Sequence, residues 1–325
     1  MIFTDGRYGQ TILLRKKYCI EVGDCRLRKE FIRILVCPIC YDDLDFRGNE
    51  ANCRLQEGHL KSASCSRTFQ VRDQIPDLRI GDLSKELLTE KRVLELLDLN
   101  EETLKSWVEE RKTYPENKPI EVQEADELME KGICSQVERF PFILDIASGR
   151  GSLLKKIARA HSNIRLLGTD IDENMLREAQ KILRRENLYQ QTSLLLCDVR
   201  RLPFRLNSIP CVVSLAGFSN VQNAAKALAE ARRVLSPGGR VIFSTLFLNE
   251  GSRSFEYTRR LGLADIICKE RLRKSLDKAK LKLLSLEEIY SGIYPGYSKD
   301  LLPFRDDWFS ENLVIATTKN SSGKS

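Results

Sequence analysis

Three aspartates end three consecutive apolar runs: Asp145 in FILDIA, Asp170 in IRLLGTD and Asp198 in LLLCD. A turn with two glycines, Gly149 and Gly151, follows the first of them and leads into SLLKKIARAH. Carboxylates accept hydrogen bonds from hydroxyls and amines and attract cations, but they repel a pyrophosphate. Glycines let the backbone take positive φ and approach a ligand closely. A second set of reactive side chains lies upstream, where Cys37 and Cys40 form a C-P-x-C knuckle and Cys53, His59 and Cys65 follow. Such a knuckle can point two thiolates at one ion, and tetrahedral zinc then needs two more soft ligands.

The acids are useful only if the chain brings them together. From about residue 139 onward, short Val/Ile/Leu-rich runs alternate with amphipathic stretches: FPFILDIA, SLLKKIARAH, IRLLGTDI, ENMLREAQKILRREN, TSLLLCDV, IPCVVSLAGF, VQNAAKALAEARRVL and GGRVIFSTLF. That alternation predicts an α/β fold with a doubly wound, mostly parallel sheet covered on both faces. Strand-end acids then line the C-terminal rim, where open α/β sheets bind ligands. The glycine spacing narrows the ligand. A triphosphate loop needs G-x-x-x-x-G-K-[ST], which is absent, and a dinucleotide turn needs a third glycine where Leu154 stands. Asp172, in DENML, reads as a helix N-cap.

Upstream of this region the organisation falls into three parts. Residues 1–30 form an extension with a strand-like TILLRKKYCIEV and a basic RLRKEFIR. Residues 31–80 hold the cysteine cluster, and residues 81–138 form a helical connecting layer, with leucines at helical spacing in LSKELLTEKRVLELLDL and EETLKSWVEERK. The α/β part runs over 139–320, and NSSGKS reads as a disordered tail.

Composition excludes little but is consistent. At 325 residues, two domains are the natural expectation. No run of about 18 apolar residues exists, and the N-terminus lacks the apolar segment of a signal peptide, so a cytoplasmic protein without a membrane span is expected. The net charge of +7 is compatible with nucleic acid or another anionic partner without demanding one. Ten cysteines, four clustered and several single in apolar strands, suit one metal site plus buried thiols. Cys19 and Cys25 lack obvious partners for a second site.

DIASGRG, with its acid and two glycines, resembles the first motif of the class I S-adenosylmethionine-dependent methyltransferases, with Ala147 at the first glycine position, as in the quinone C-methyltransferase branch. ALAEARRVLSPGGRVIFSTL, residues 227–246, resembles that family's R-V-L-x-P-G-G turn before the fifth strand. The resemblance spans roughly 139–320 and implies a seven-stranded Rossmann-like sheet. It also implies a cofactor held by Asp145, Ala147, Ser148, Gly149 and Gly151 at the methionine moiety, Asp170 and Ile171 at the ribose, and Asp198 and Val199 at the adenine. The text after Cys65, SRTFQVRDQIPDL, resembles the zinc ribbons of the small tRNA-methyltransferase activator family, with Gln74 at a usual glycine. That resemblance implies a structural zinc bound by Cys37, Cys40 and Cys65, with Cys53 favoured over His59 as the fourth ligand.

A ribbon ahead of a methyltransferase domain also resembles the large-subunit rRNA guanine-N1 methyltransferases. With the basic segment CKERLRKSLDKAKLK (268–282), this makes structured RNA the first expectation for the acceptor. A quinone-like small or lipid-like acceptor is the alternative, because AGFSNV resembles the G-x-x-N segment of the quinone C-methyltransferases; a non-catalytic cofactor- or partner-binding module is the third. No general base stands out. The chain has two histidines, His59 and His161, and Tyr294, Asp306 and Asp307 are the remaining candidates.

Overall fold

A computed structural model describes residues 27–51, 54–81, 90–298 and 300–319. The N-terminal strand-like segment, Cys19, Cys25, Cys53 and the NSSGKS tail lie outside the described residues. Seven strands form the large sheet: β5 (Phe142–Ile146), β6 (Arg165–Asp170), β7 (Thr192–Leu196), β8 (Ile209–Ser214), β9 (Leu235–Leu248), β10 (Leu281–Ile293) and β11 (Trp308–Thr318). Their spatial order is β10-β11-β9-β8-β5-β6-β7, and β11 alone runs against the others. The doubly wound, mostly parallel sheet expected from the alternating pattern is therefore present.

Both faces of the central strands are covered, which is why their sequences are apolar without alternation. Every residue of β5 is buried. On one face lie α4 (Ile120–Val137), α5 (Ser152–Ala160) and α6 (Glu173–Arg185), whose Met129, Ile133, Leu154, Ile157 and Leu183 pack with Ile143, Val213 and Ile242. On the other lie α7 (Ala224–Val234) and α9 (Lys269–Lys278), joined through Leu228, Ala231, Leu272 and Leu276 to Leu144, Val212 and Phe243.

The crossover from β7 to β8 carries only a 3-10 turn at Val199–Arg201, where a parallel connection ordinarily places a helix. The uncovered surface is filled from upstream. Four short antiparallel strands, β1 (Leu44–Ala51), β2 (Arg54–Ser62), β3 (Thr68–Arg72) and β4 (Ile75–Pro76), form a second sheet in the order β1-β2-β3-β4. Leu60, Phe69 and Val71 from this sheet, with Leu35 at the end of α1 (Leu27–Ile34), share one buried cluster with Leu195, Leu202 and Phe204. Backbone hydrogen bonds fix the contact: Val36 N–H to Pro203 at 3.0 Å and Leu78 N–H to Leu196 at 2.8 Å, so the chain after β4 extends the edge of the large sheet.

The connecting helices α2 (Glu90–Leu97) and α3 (Glu101–Lys112) pack Val93, Leu97 and Trp107 against Leu261, Leu263 and Phe304. Leu261 and Leu263 directly follow α8 (Arg253–Arg260). Arg253 stacks over the Phe304 ring at 3.7 Å and reaches the Glu110 carboxylate at 2.6 Å, tying α8 to α3. No helix among the described residues is long and apolar enough to cross a membrane.

Candidate functional site

Parallel register sets the height of each acid. Asp145 pairs with Gly168 and Val213, and Asp170, one strand over, pairs with Leu196, two residues before Asp198. All three aspartates thus reach the same C-terminal rim. The turn after β5 is built by left-handed backbone at Ala147 (φ 50°), Gly149 (φ 53°) and Gly151 (φ 75°), the last serving as N-cap of α5. A side chain at Gly149 would meet nothing within 4 Å, so the glycine there serves the conformation rather than the space. Ala147 takes the same region without being glycine, which stores local strain of about 1 kcal/mol.

Asp170 accepts the Gly149 N–H at 2.8 Å and the Asp172 N–H at 2.9 Å, so its carboxylate clamps the glycine turn. Burial raises its pKa, opposed by those N–H bonds. Asp145 is 1% exposed, and neither of its oxygens has a hydrogen-bond partner. Burial, and then the neighbouring Asp170 charge, push its pKa well up. The Ser148 hydroxyl is likewise buried without a partner. An orphaned carboxylate beside a second acid costs free energy and accepts a cation or a donor readily.

Asp198 is differently placed. It accepts the Arg200 N–H at 2.8 Å, capping the 3-10 turn, and forms a two-pronged ion pair with the Arg200 guanidinium at 2.9 Å. The sequence reading missed this self-pairing, although a D-x-R spacing at a strand end could have signalled it. Asp172 caps α6 as expected, accepting the Asn174 N–H at 2.8 Å.

A cleft of about 160 Å³ opens in front of these residues. Ala147, Asp170, Ile171, Asp198 and Val199 line it, together with Asp172, Arg200 and Asn220–Gln222. Asp145, Ser148, Gly149 and Gly151, also expected at the site, do not line it. The stretch Asn220–Gln222 belongs to the SLAGFSNVQN segment, noted in the sequence only for its resemblance. Ala216, also left-handed at φ 56°, and Gly217 bring it over the turn. A Cβ on Gly217 would lie 2.3 Å from Ser214 Oγ and 2.8 Å from the Ala147 Cβ. The donor set fits S-adenosylmethionine: carboxylates for ribose hydroxyls and an ammonium, no phosphate cradle, and a buried acid lacking its partner.

The side chains weighed as bases have other work. Tyr294 donates to Asp300 at 2.6 Å, and Asp307 accepts the Ser254 N–H at 2.8 Å. His161 ends α5, away from the rim. The basic segment 268–282 is mainly α9; Leu272 and Leu276 enter the core, Arg273 and Lys274 face solvent, and none of its residues lines the cleft.

In the small sheet, Cys37, Cys40 and Cys65 bring their sulfurs within 4.8 Å of one another, Cys37 and Cys65 at 3.6 Å. Hydrogen bonds from Ser62 and from the Arg67 backbone lower the Cys65 pKa to about 7, favouring the thiolate that binds metal. His59 is not in this group among the described residues. It sits one residue out of phase with the buried Leu60 and Ser62, on the opposite face of β2. Cys53 lies outside the described residues; its flanking Ala51 and Arg54 pair at the end of the β1–β2 hairpin far from Leu44 and Ser62.

Residues 143–239 match a family described as a methyltransferase domain. Among curated proteins, the chain is similar to the ubiquinone/menaquinone biosynthesis C-methyltransferase UbiE of Rickettsia bellii, 41% identical over 104 residues, which is 31% of this chain and 42% of that protein. The Yersinia pestis UbiE is 34% identical over 127 residues, 38% of this chain and 51% of its own length. The chain thus spans about half the length of these relatives. A solved chain from the complex between the Haloferax volcanii Trm112 methyltransferase activator and a methyltransferase is 18% identical, covering 68% of this chain and 97% of that one, with a TM-score of 0.49. The match identifies residues 143–239 as a methyltransferase domain.

Proposed function

We propose that the chain is an enzyme that transfers the methyl group of S-adenosylmethionine, using the cleft at the ends of β5, β6 and β7. The observation that carries this reading is Asp145, buried without a partner under the glycine turn while Asp170 and Asp198 stand on the same rim. Asp145, Ala147, Ser148, Gly149 and Gly151 would hold the methionine moiety, Asp170 and Ile171 the ribose, and Asp198 and Val199 the adenine. When bound, the cofactor supplies an electrophilic methyl on a sulfonium. The chain's part is to pin the cofactor, exclude water and hold the acceptor in line, so placement supplies most of the rate.

The domain bounds fit the same reading: an extension at 1–30, a zinc ribbon at 31–80, a helical layer at 81–138 and the methyltransferase domain at 139–320. Cys37, Cys40 and Cys65 would hold one structural zinc.

For the acceptor, a small apolar molecule of the quinone kind is the better supported reading. The basic helix that favoured RNA lies outside the cleft. The similar curated proteins are C-methyltransferases of quinone biosynthesis. RNA is the second reading, favoured by the cysteine cluster of the small sheet. Incubation with isotopically labelled cofactor, followed by mass spectrometry of RNA and of an organic extract, tests both. Label in the organic fraction is the expected result, and label confined to RNA overturns the first reading.

A further inference from the structure

A larger cleft, about 380 Å³, lies on the other side of the wall that carries Ile171 and Glu173. It runs between the edge of β3 in the small sheet and the edge of the large sheet at β7, and four arginines line it: Arg67, Arg72, Arg79 and Arg177. Among the described residues, two carboxylates, Asp77 and Glu173, face the same space. Both are already committed. Arg79 binds Asp77 at 2.5 Å and reaches Glu173 at 3.4 Å, and Arg177 binds Glu173 at 3.2 Å. Arg79 also donates to the Ile171 carbonyl at 3.0 Å, and its side chain is only 12% exposed, so this guanidinium is fixed in place.

Arg67 and Arg72 are left over. Both are exposed, and among the described residues neither has an ion-pair partner. Both line the same cleft as the braced Arg79. A concave site with two guanidinium groups that lack an ion-pair partner among the described residues, and a rigid third, suits an anion such as phosphate, which arginine binds through parallel N–H groups. We propose that this cleft is an anion site for a phosphate group, formed jointly by the small sheet and the methyltransferase domain. The proposal goes beyond the cofactor reading and does not depend on it. The phosphate could belong to an RNA backbone or to a small phosphoester.

Two probes separate these sources on the full chain. A short fluorescent oligoribonucleotide is followed by anisotropy across a salt series, and inorganic pyrophosphate is followed by thermal shift. For an RNA source, Arg67→Ala/Arg72→Ala should weaken oligonucleotide binding about tenfold near 0.05 M salt and reduce the salt slope by about 1.4, the value for two single-strand phosphate contacts. Arg273→Ala/Lys274→Ala, on the outer face of α9, should leave both unchanged. For a small phosphoester, the oligonucleotide does not bind, but pyrophosphate raises the melting temperature of the native chain and not of the Arg67/Arg72 double variant. A native-like melting transition of the unliganded double variant reports that it is folded, whether or not the cofactor reading holds. The proposal is overturned if neither probe distinguishes the double variant from the native chain, or if the α9 variant loses as much.

Discussion

The Asp170 carboxylate, held by the N–H groups of Gly149 and Asp172, disfavours ionisation of the fully buried Asp145 beside it. The pair is strained electrostatically until a cation arrives. Because folding raises the Asp145 pKa, its contribution to stability is present below the ordinary carboxylate range and is lost as pH rises through the folded value. Asp145→Asn removes that loss without changing shape. The ligand-free variant should therefore melt higher than the native chain at neutral pH, and the gap should close towards pH 4. The same variant should bind S-adenosylmethionine at least about tenfold more weakly, about 1.4 kcal/mol, for want of the charge that meets the ammonium. A melting-temperature difference that does not vary with pH would show that Asp145 is not the group under stress.

Asp170 has two duties, to clamp the turn and to accept from the cofactor. Asp170→Ala should lower cofactor affinity by about 1.5–3 kcal/mol, the range for hydrogen bonds to a charged acceptor. Asp170→Asn keeps one acceptor for the Gly149 N–H and should lose less. Calorimetry that finds the alanine variant binding like the native chain would remove Asp170 from the site.

Much of this site was legible because strand-end acids and glycine turns are local signals. FILDIASGRG, GTDID and LLCDV each announce their own strand end, and parallel pairing then brings the three together with no further information. What the sequence did not announce depends on long-range packing. The closure of Asn220–Gln222 over Ala147 and the docking of the small sheet where β7 crosses to β8 both arise between segments far apart. The place of the basic run at 268–282 also depends on the fold. Its charges are spaced as the solvent side of a helix that buries Leu272 and Leu276, and only the fold shows which way that side faces.

Ala147 and Gly217 make a paired test of the turn. Ala147 occupies a left-handed conformation that glycine adopts freely, so Ala147→Gly should be neutral or stabilising by up to about 1 kcal/mol, with cofactor binding retained. Gly217→Ala would press a methyl group against Ser214 Oγ, the Ile146 carbonyl and the Ala147 Cβ, all within 2.8 Å. Overpacking of this kind costs about 1–3 kcal/mol. Chemical denaturation should rank the variants in that order. The reverse order would show that the turn is not built as described.

The cysteine centre gives the last test, and the shared core decides its form. Purified protein should carry about one zinc, and Cys37→Ser or Cys65→Ser should abolish it, because a tetrahedral site that loses a thiolate loses most of its affinity. His59→Ala should retain the metal, since His59 sits across β2 from the clustered sulfurs. Cys37 packs in the same buried cluster as Leu60, Phe69, Leu195 and Phe204, so the small sheet cannot come loose without exposing part of the large one. The Cys65→Ser variant should therefore melt at least about 5 °C lower, in one transition rather than two, since 1 kcal/mol shifts a chain of this size by about 2 °C. Below that transition its affinity for S-adenosylmethionine should be close to native, because Ser62 and the cysteines do not line the cofactor cleft. Full zinc in Cys65→Ser would refute the assignment of the centre, and two separate melting transitions would refute the shared core.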